Sequence, residues 1–258
     1  MYGFLMELES GKLVDEMIIK TGTWEPWVSE VIKKYLSPWD VFVDIWANIG
    51  YDSLLASTIV GESGKVFSFE PSTKNFNRLK RNVALNHFSN IHLFPVGIGD
   101  KEEVLRIYYN EFNPWESSLN PWVGTSSEPD EFIKVQTLDS VLEQGRVDFI
   151  KMDTEWFEPK AFQGMWKILQ KNRKIKIIFE FSPSLYHQET QSQEKISLWM
   201  LHQLQDLWFH LYHINNSQSN LLDHKINHPE EYYKFFTQWI YRQADIFCIR
   251  DILQIEKY

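Results

Sequence analysis

Three acidic residues stand where apolar, strand-like runs end: Asp44 after "VFV", Glu70 after "KVFSF" and Asp153 after "VDFIKM". In an open parallel sheet such ends converge on one crevice. An acid after the second strand suits a ribose, because a carboxylate accepts from two adjacent hydroxyls. Taken singly, each reads as a helix cap or a turn acid. Three of them on one strand–helix rhythm point to a site. Glu155 and Glu158 follow Asp153, and Glu180 sits near the end of another strand-like run. Such carboxylates could take the proton of an accepting hydroxyl or amine. A glutamate-rich site beside a histidine could also hold a divalent ion, and His187 is the histidine near these motifs; no metal ligands are assigned. The turn after Asp44, "IWANIG", is neither a GxGxxG nor a Walker loop, which argues against dinucleotide and nucleoside triphosphate sites.

The elements that would position these acids follow from periodicity. Residues 1–23 read as a hairpin, with "FLMEL" and "LVDEMIIK" around the turn "ESGK". From Trp24 to Leu36 the pattern is helical, with Pro26 near its start. Then strand and helix alternate: a strand from Val41, a helix over 51–60, a strand over 65–70, a helix over 73–86 and a strand and turn over 90–100. Phe76, Leu79, Val83 and Leu85 form the expected inner face of the second of these helices. The alternation predicts an α/β fold with a parallel, doubly wound sheet. It breaks at 101–140, where "VLRIYYN" and "FIKVQTL" look like extra strands around a loop rich in Pro, Trp and Ser. It resumes with a strand over 147–153, a helix over 159–171 and a strand over 174–182. A helix over 192–206, a strand over 208–214, a helical piece near 229–238 and a strand over 245–251 complete the reading. With no repeat and no linker, the expectation is one domain over 1–258. Its parts are an N-terminal hairpin and helix (1–38), a cofactor half (39–100), an insertion with an aromatic loop (101–146) and a substrate half (147–258). Tyr108, Tyr109, Phe112, Trp115 and Trp122 in that insertion suit stacking on a sugar face or sealing a core edge.

Composition narrows the class. The chain has 258 residues, 43% of them hydrophobic, enough for a substantial core. Cys248 is the single cysteine, so no internal disulfide forms and a reducing cytoplasm is the expected home. No apolar run approaches the ~20 residues of a membrane span, and the N-terminus lacks the pattern of a secretory signal. A formal charge of -9 disfavours nucleic acid as a partner. The basic stretch "KNFNRLKRN" at 74–82 reads as a solvated helix face. Eleven tryptophans exceed what a core of this size needs, so some are expected to line a pocket.

Together these blocks resemble the FkbM family of S-adenosylmethionine-dependent methyltransferases. The family's first motif, Asp-x-Gly-Ala-Asn-x-Gly, is matched by Asp44, Ala47, Asn48 and Gly50. "FEPS" at 69–72, "NFNRLKRNVALN" after it, "GIGD" at 97–100, "SSL" at 117–119, "TLDS" at 137–140, "IKMDTEWFE" at 150–158 and "IIFEFSP" at 177–183 carry the rest. The resemblance implies a Rossmann-like class I methyltransferase fold, with a seven-stranded, mostly parallel sheet, an antiparallel last strand and helices on both faces. Its cofactor would be S-adenosylmethionine. Asp44, Trp46, Ala47, Asn48 and Gly50 would surround the cofactor's amino-acid end. Glu70 would take the ribose hydroxyls, Pro71 and Ser72 would shape that turn, and Gly97 and Ile98 would lie beside the adenine. Asp153, which also borders the cofactor, Glu155 and Glu158 are the implied catalytic acids. Trp115, Ser117, Ser118, Trp156 and Glu180 are the implied substrate contacts. The expected activity is O-methylation of a small molecule or sugar hydroxyl, with no nucleic acid and no membrane as partner. Two alternatives stand beside it: a catalytically impaired binding protein and an N-methyltransferase acting on a peptide.

Two family glycines are tryptophan here, Trp46 and Trp156, and Phe157 follows where a small residue is common. If those glycines use positive φ, each tryptophan costs on the order of 1–3 kcal/mol in backbone strain. The pair could wall a hydrophobic substrate pocket, fill the site of an inactive relative, or be substitutions that alter a glycine-bearing parent.

Overall fold

Val41–Ile45, five consecutive buried residues, form the strand (β1) against which the main sheet is built. A strand buried on both faces must be apolar throughout, and its neighbours are too. The computed structural model describes residues 3–109, 117–118, 131–143, 145–183, 193–214, 221–222, 224–237 and 243–250. Two helices, α1 (Leu13–Thr21) and α2 (Pro26–Tyr35), precede β1. After it come α3 (Tyr51–Val60), β2 (Lys65–Phe69), α4 (Thr73–Leu85) and β3 (Ile91–Phe94). The insertion supplies β4 (Gly97–Ile98), β5 (Glu103–Tyr109), β6 (Ser117–Ser118), β7 (Glu131–Gln136) and α5 (Leu138–Val141). The chain returns with β8 (Phe149–Met152), α6 (Glu158–Gln163), α7 (Trp166–Lys171) and β9 (Lys176–Phe181). It continues with α8 (Gln193–Asp206), β10 (Phe209–His213), β11 (His224–Lys225), α9 (Pro229–Thr237) and β12 (Ala244–Arg250).

The main sheet runs β11-β10-β12-β9-β8-β1-β2-β3. Strands β3, β2, β1, β8 and β9 are parallel, while β12 is antiparallel to both β9 and β10. Seven of these strands match the expected sheet with its antiparallel last strand, and the two-residue β11 adds a short eighth. A smaller sheet, β4-β7-β5-β6, stands over the strand ends. Alternate residues of β1 face different cores: Val43 and Ile45 join α6 and α8, whereas Phe42 joins α2 and α3.

Four expectations need correction. Residues 1–23 are not a hairpin, because "LVDEMIIK" forms α1, closed by Gly22 in the left-handed region. The extended segment before it bonds to side chains of α4: Leu5 N–H to Asn86 Oδ1 at 2.6 Å and Glu7 N–H to Asn82 Oδ1 at 2.7 Å. Amide side chains supply the partners that a second strand would have supplied. Arg78, from the stretch read as a solvated face, is buried in an ion pair with Asp15 of α1. Leu85, placed on the inner face of α4, is 44% exposed because the helix ends there. The helix over 159–171 is two helices parted at Gly164. A Cβ at Gly164 would fall 1.8 Å from the carbonyl oxygen of Gly99. None of the described helices is long and apolar enough to cross a membrane.

Candidate functional site

A cavity of about 240 Å³ opens at the C-terminal edge of β1 and β8. Its wall comes from the β1–α3 turn (Trp46, Ala47, Asn48), Lys151 of β8, Asp153 just past it, Glu155, Glu180 of β9, and Glu25 at the start of α2. The turn folds through left-handed backbone, with φ of 70° at Trp46, 50° at Asn48 and 92° at Gly50. Glycine suits Gly50 because its φ is one that L side chains rarely adopt, and a Cβ there would also press on the Leu79 side chain at 2.4 Å. Glu25 (38°), Glu155 (51°) and Trp156 (80°) are left-handed as well. Strained backbone gathers at sites that the surrounding fold over-determines.

Five carboxylates, Glu25, Asp52, Asp153, Glu155 and Glu180, line this cavity against one cation, Lys151. The Lys151 Nζ lies 3.2 Å from Asp153 and 3.6 Å from Asp52. Burial pulls the Lys151 pKa down, but Asp153, Asp52, Glu25 and Asp44 outweigh it and hold the ammonium well above its usual range. Burial also pushes Glu25 and Glu180 well above the usual carboxylate range. Asn48 Oδ1 and Asp52 Oδ1 are buried acceptors with no hydrogen-bond partner among the described residues. A donor-rich group such as an ammonium would satisfy them.

The structure does not bring all the expected residues to this cavity. Trp46, Ala47, Asn48, Asp153, Glu155 and Glu180 are in its wall. Asp44 lies behind it, accepting from Ser53 Oγ at 2.5 Å, and burial raises its pKa to about 7. Glu158 is fully buried and accepts from the Thr154 N–H and Oγ–H at 2.8 Å each. It ties a turn together and is not among the cavity acids. Burial raises it to about 7. Trp156 packs on the main core instead of facing Trp46 across the cavity, and its indole N–H is buried with no partner among the described residues. Ser117 and Ser118 are the backbone of β6. Trp115 and His187 lie outside the described residues. Sequence reasoning missed Glu25, Asp52 and Lys151. Lys151 left a signal, a lysine inside an apolar central strand. Glu25 left none, because only the packing of α2 brings it across.

The fit to S-adenosylmethionine is therefore divided. The cavity suits an amino-acid end and a cationic centre. The expected ribose–adenine end is shut. Glu70 is 0% exposed. Its Oε2 accepts from the Asn48 N–H at 2.7 Å and its Oε1 from the Ser72 N–H at 2.9 Å, and the cover over the side chain keeps a ribose from both. Burial pushes this carboxyl up to about 8. Ser72 caps α4 and bonds to Tyr109 Oη at 2.6 Å. Trp46 is 5% exposed and packs with Ile107, Ile133 and Val135, the side chains beside Gly97 and Ile98. With the indole there, the cavity does not reach Gly97 and Ile98. Among the described residues no group of three His, Cys, Asp or Glu is placed to hold a metal ion.

The methyltransferase FkbM domain model matches residues 44–213, about two thirds of the chain. No curated protein matches the sequence. Among solved structures, methyltransferase FkbM from Methylobacillus flagellatus is 14% identical, with 85% of this chain and 50% of that chain covered at a TM-score of 0.47. An SAM-dependent O-methyltransferase from Thermotoga maritima is 14% identical over 91% of this chain and 70% of that one, with a TM-score of 0.45. A Streptococcus mutans chain described as a methyltransferase, in complex with SAH, is 8% identical over 88% and 97%, with a TM-score of 0.49.

Proposed function

The chain belongs to the FkbM methyltransferase domain family, and from that membership we propose that it transfers a methyl group from S-adenosylmethionine to a hydroxyl of a small molecule or sugar. The observation that carries this reading is the acid-lined cavity, with Asp153 and Glu155 facing it beside Lys151. A sulfonium is cationic, and five carboxylates against one lysine complement that charge. An acceptor hydroxyl entering the cavity meets Asp153 and Glu155, which are able to take its proton. Lys151 holds Asp153 in place at 3.2 Å. Among the described residues no further lysine or arginine lines the cavity, so a neutral acceptor suits it better than a phosphate-bearing one.

A second reading, a binding protein with impaired catalysis, is favoured by the closed Glu70 end. Titration calorimetry with S-adenosylhomocysteine, followed by methyl transfer to hydroxyl-bearing acceptors, separates the two. The enzyme reading expects binding and turnover. A chain that binds an acceptor but never the cofactor product supports the second.

A further inference from the structure

Nine described residues other than glycine adopt positive φ: Glu25, Trp39, Trp46, Asn48, His87, Glu143, Glu155, Trp156 and Trp208. Four are tryptophans, although tryptophan makes up 11 of the 258 residues. Placement by chance at that frequency puts fewer than one there. The left-handed region admits glycine freely, then asparagine, aspartate and histidine. A bulky ring on Cβ has no preference for it.

Each of the four stands in a glycine's geometry. Trp39 (φ 69°) is the third residue of the turn Ser37–Pro38–Trp39–Asp40, closed by Asp40 N–H donating to Ser37 O at 3.2 Å. Proline second and positive φ third define a turn whose third position calls for glycine. Trp208 (φ 68°) lies two residues beyond the end of α8, and its N–H donates to Gln205 O at 2.8 Å. Helices commonly stop at a left-handed glycine just past their last turn. Both indoles are on the surface, 68% and 61% exposed, so burial does not offset the strain. Trp46 is the one already noted in the cavity wall, and Trp156 the one packed on the main core. Other tryptophans behave differently: Trp27 Nε1–H donates to Asp245 Oδ2 at 2.9 Å, and Trp199 packs on the main core.

One cause accounts for all four. Tryptophan and glycine codons differ in the first base, and UGA, a stop codon in the standard code, is decoded as an amino acid in some codes. We propose that positions 39, 46, 156 and 208 are glycine in the protein made by its own cells, through decoding of UGA as glycine, whereas position 27 is tryptophan. Glycine at 46 removes the indole that stands between the acidic cavity and the strands beside Gly97 and Ile98. That consequence, unlike the decoding itself, rests on the methyltransferase reading.

Peptides of the protein purified from the cells that encode it, read by mass spectrometry, test the decoding. Glycine masses at 39, 46, 156 and 208 and a tryptophan mass at 27 are expected. A tryptophan mass at 39 or 208, or UGG at those positions of the gene, overturns it. The double variant Trp39→Gly/Trp208→Gly lies away from the cleft and reads strain without any ligand. The strain relieved exceeds the chain entropy that glycine adds, so its melting temperature is expected to rise by about 4 °C. An unchanged or lower value overturns the assignment of these turns. Trp46→Gly/Trp156→Gly is expected to bind S-adenosylhomocysteine at least tenfold tighter than the parent. If glycine masses are found and this variant still does not bind, the cofactor reading fails and the decoding stands.

Discussion

The two ends of the crevice are built from the same kind of residue and behave oppositely. At one end Asp153, Glu155 and Asp52 face open space around a charged lysine. At the other, Glu70 spends both oxygens on backbone N–H groups under a sealed turn. A carboxylate at a strand end is thus a reagent or a strut according to what covers it. The covering element at the closed end is the Trp46 indole with the small sheet.

Removing the cation should break the open end most severely. Lys151→Met leaves buried carboxylates without their partner and should destabilise the protein by about 3–5 kcal/mol at pH 8. At pH 5 Asp44, which burial raises to about 7, takes up a proton and the loss should shrink. Urea denaturation at both pH values measures it; an equal loss at both would show that Lys151 acts by packing and not by charge.

The closed end should be the next most sensitive. Glu70→Ala orphans the N–H groups of Asn48 and Ser72, at a cost of about 2–4 kcal/mol in stability. A variant as stable as the parent would mean that Glu70 is not a strut, and the contrast between the ends would dissolve.

Asp153→Asn keeps shape and removes charge. Turnover should fall about 10²-fold, equivalent to about 2.7 kcal/mol, while affinity for S-adenosylhomocysteine changes little. Unaltered rates on a true acceptor would transfer the role to Glu155, testable by Glu155→Gln.

The smallest effect is a pH slope. Burial raises Glu70 to about 8 and both Asp44 and Glu158 to about 7, above their ordinary values of 4.5, 3.8 and 4.5. The folded chain therefore holds protons that the unfolded chain releases. Their stabilisation is complete below about pH 4 and is lost as pH rises through 7–8. The melting temperature should fall between pH 5 and pH 8, and Glu70→Gln should flatten the fall. A rising curve would contradict the burial of these groups.

Much of the fold was legible because it rests on periodicity. The 51–60 helix, the strands at 41, 65 and 147, and the parallel run of the sheet follow from apolar runs alternating with amphipathic ones. The segment before α1 was not, because its partners are Asn82 and Asn86 across a helix, and a hydrophobic pattern does not record side-chain amides. Asp153, Glu155 and Glu180 were legible as cavity acids from their strand ends. Glu158 lies outside the cavity wall, with its Oε1 bonded to Thr154, and nothing in its spacing says so.

By itself the sequence determined the strand–helix order, the family blocks and the row of acids at one sheet edge, because these depend on local pattern and chain order. Tertiary structure decided which acids line the cavity, that Glu25 and Lys151 join them, and that Trp46 and Trp156 sit at φ of 70° and 80°. Burial, backbone angle and contact across the chain are properties of packing, and no residue carries them alone.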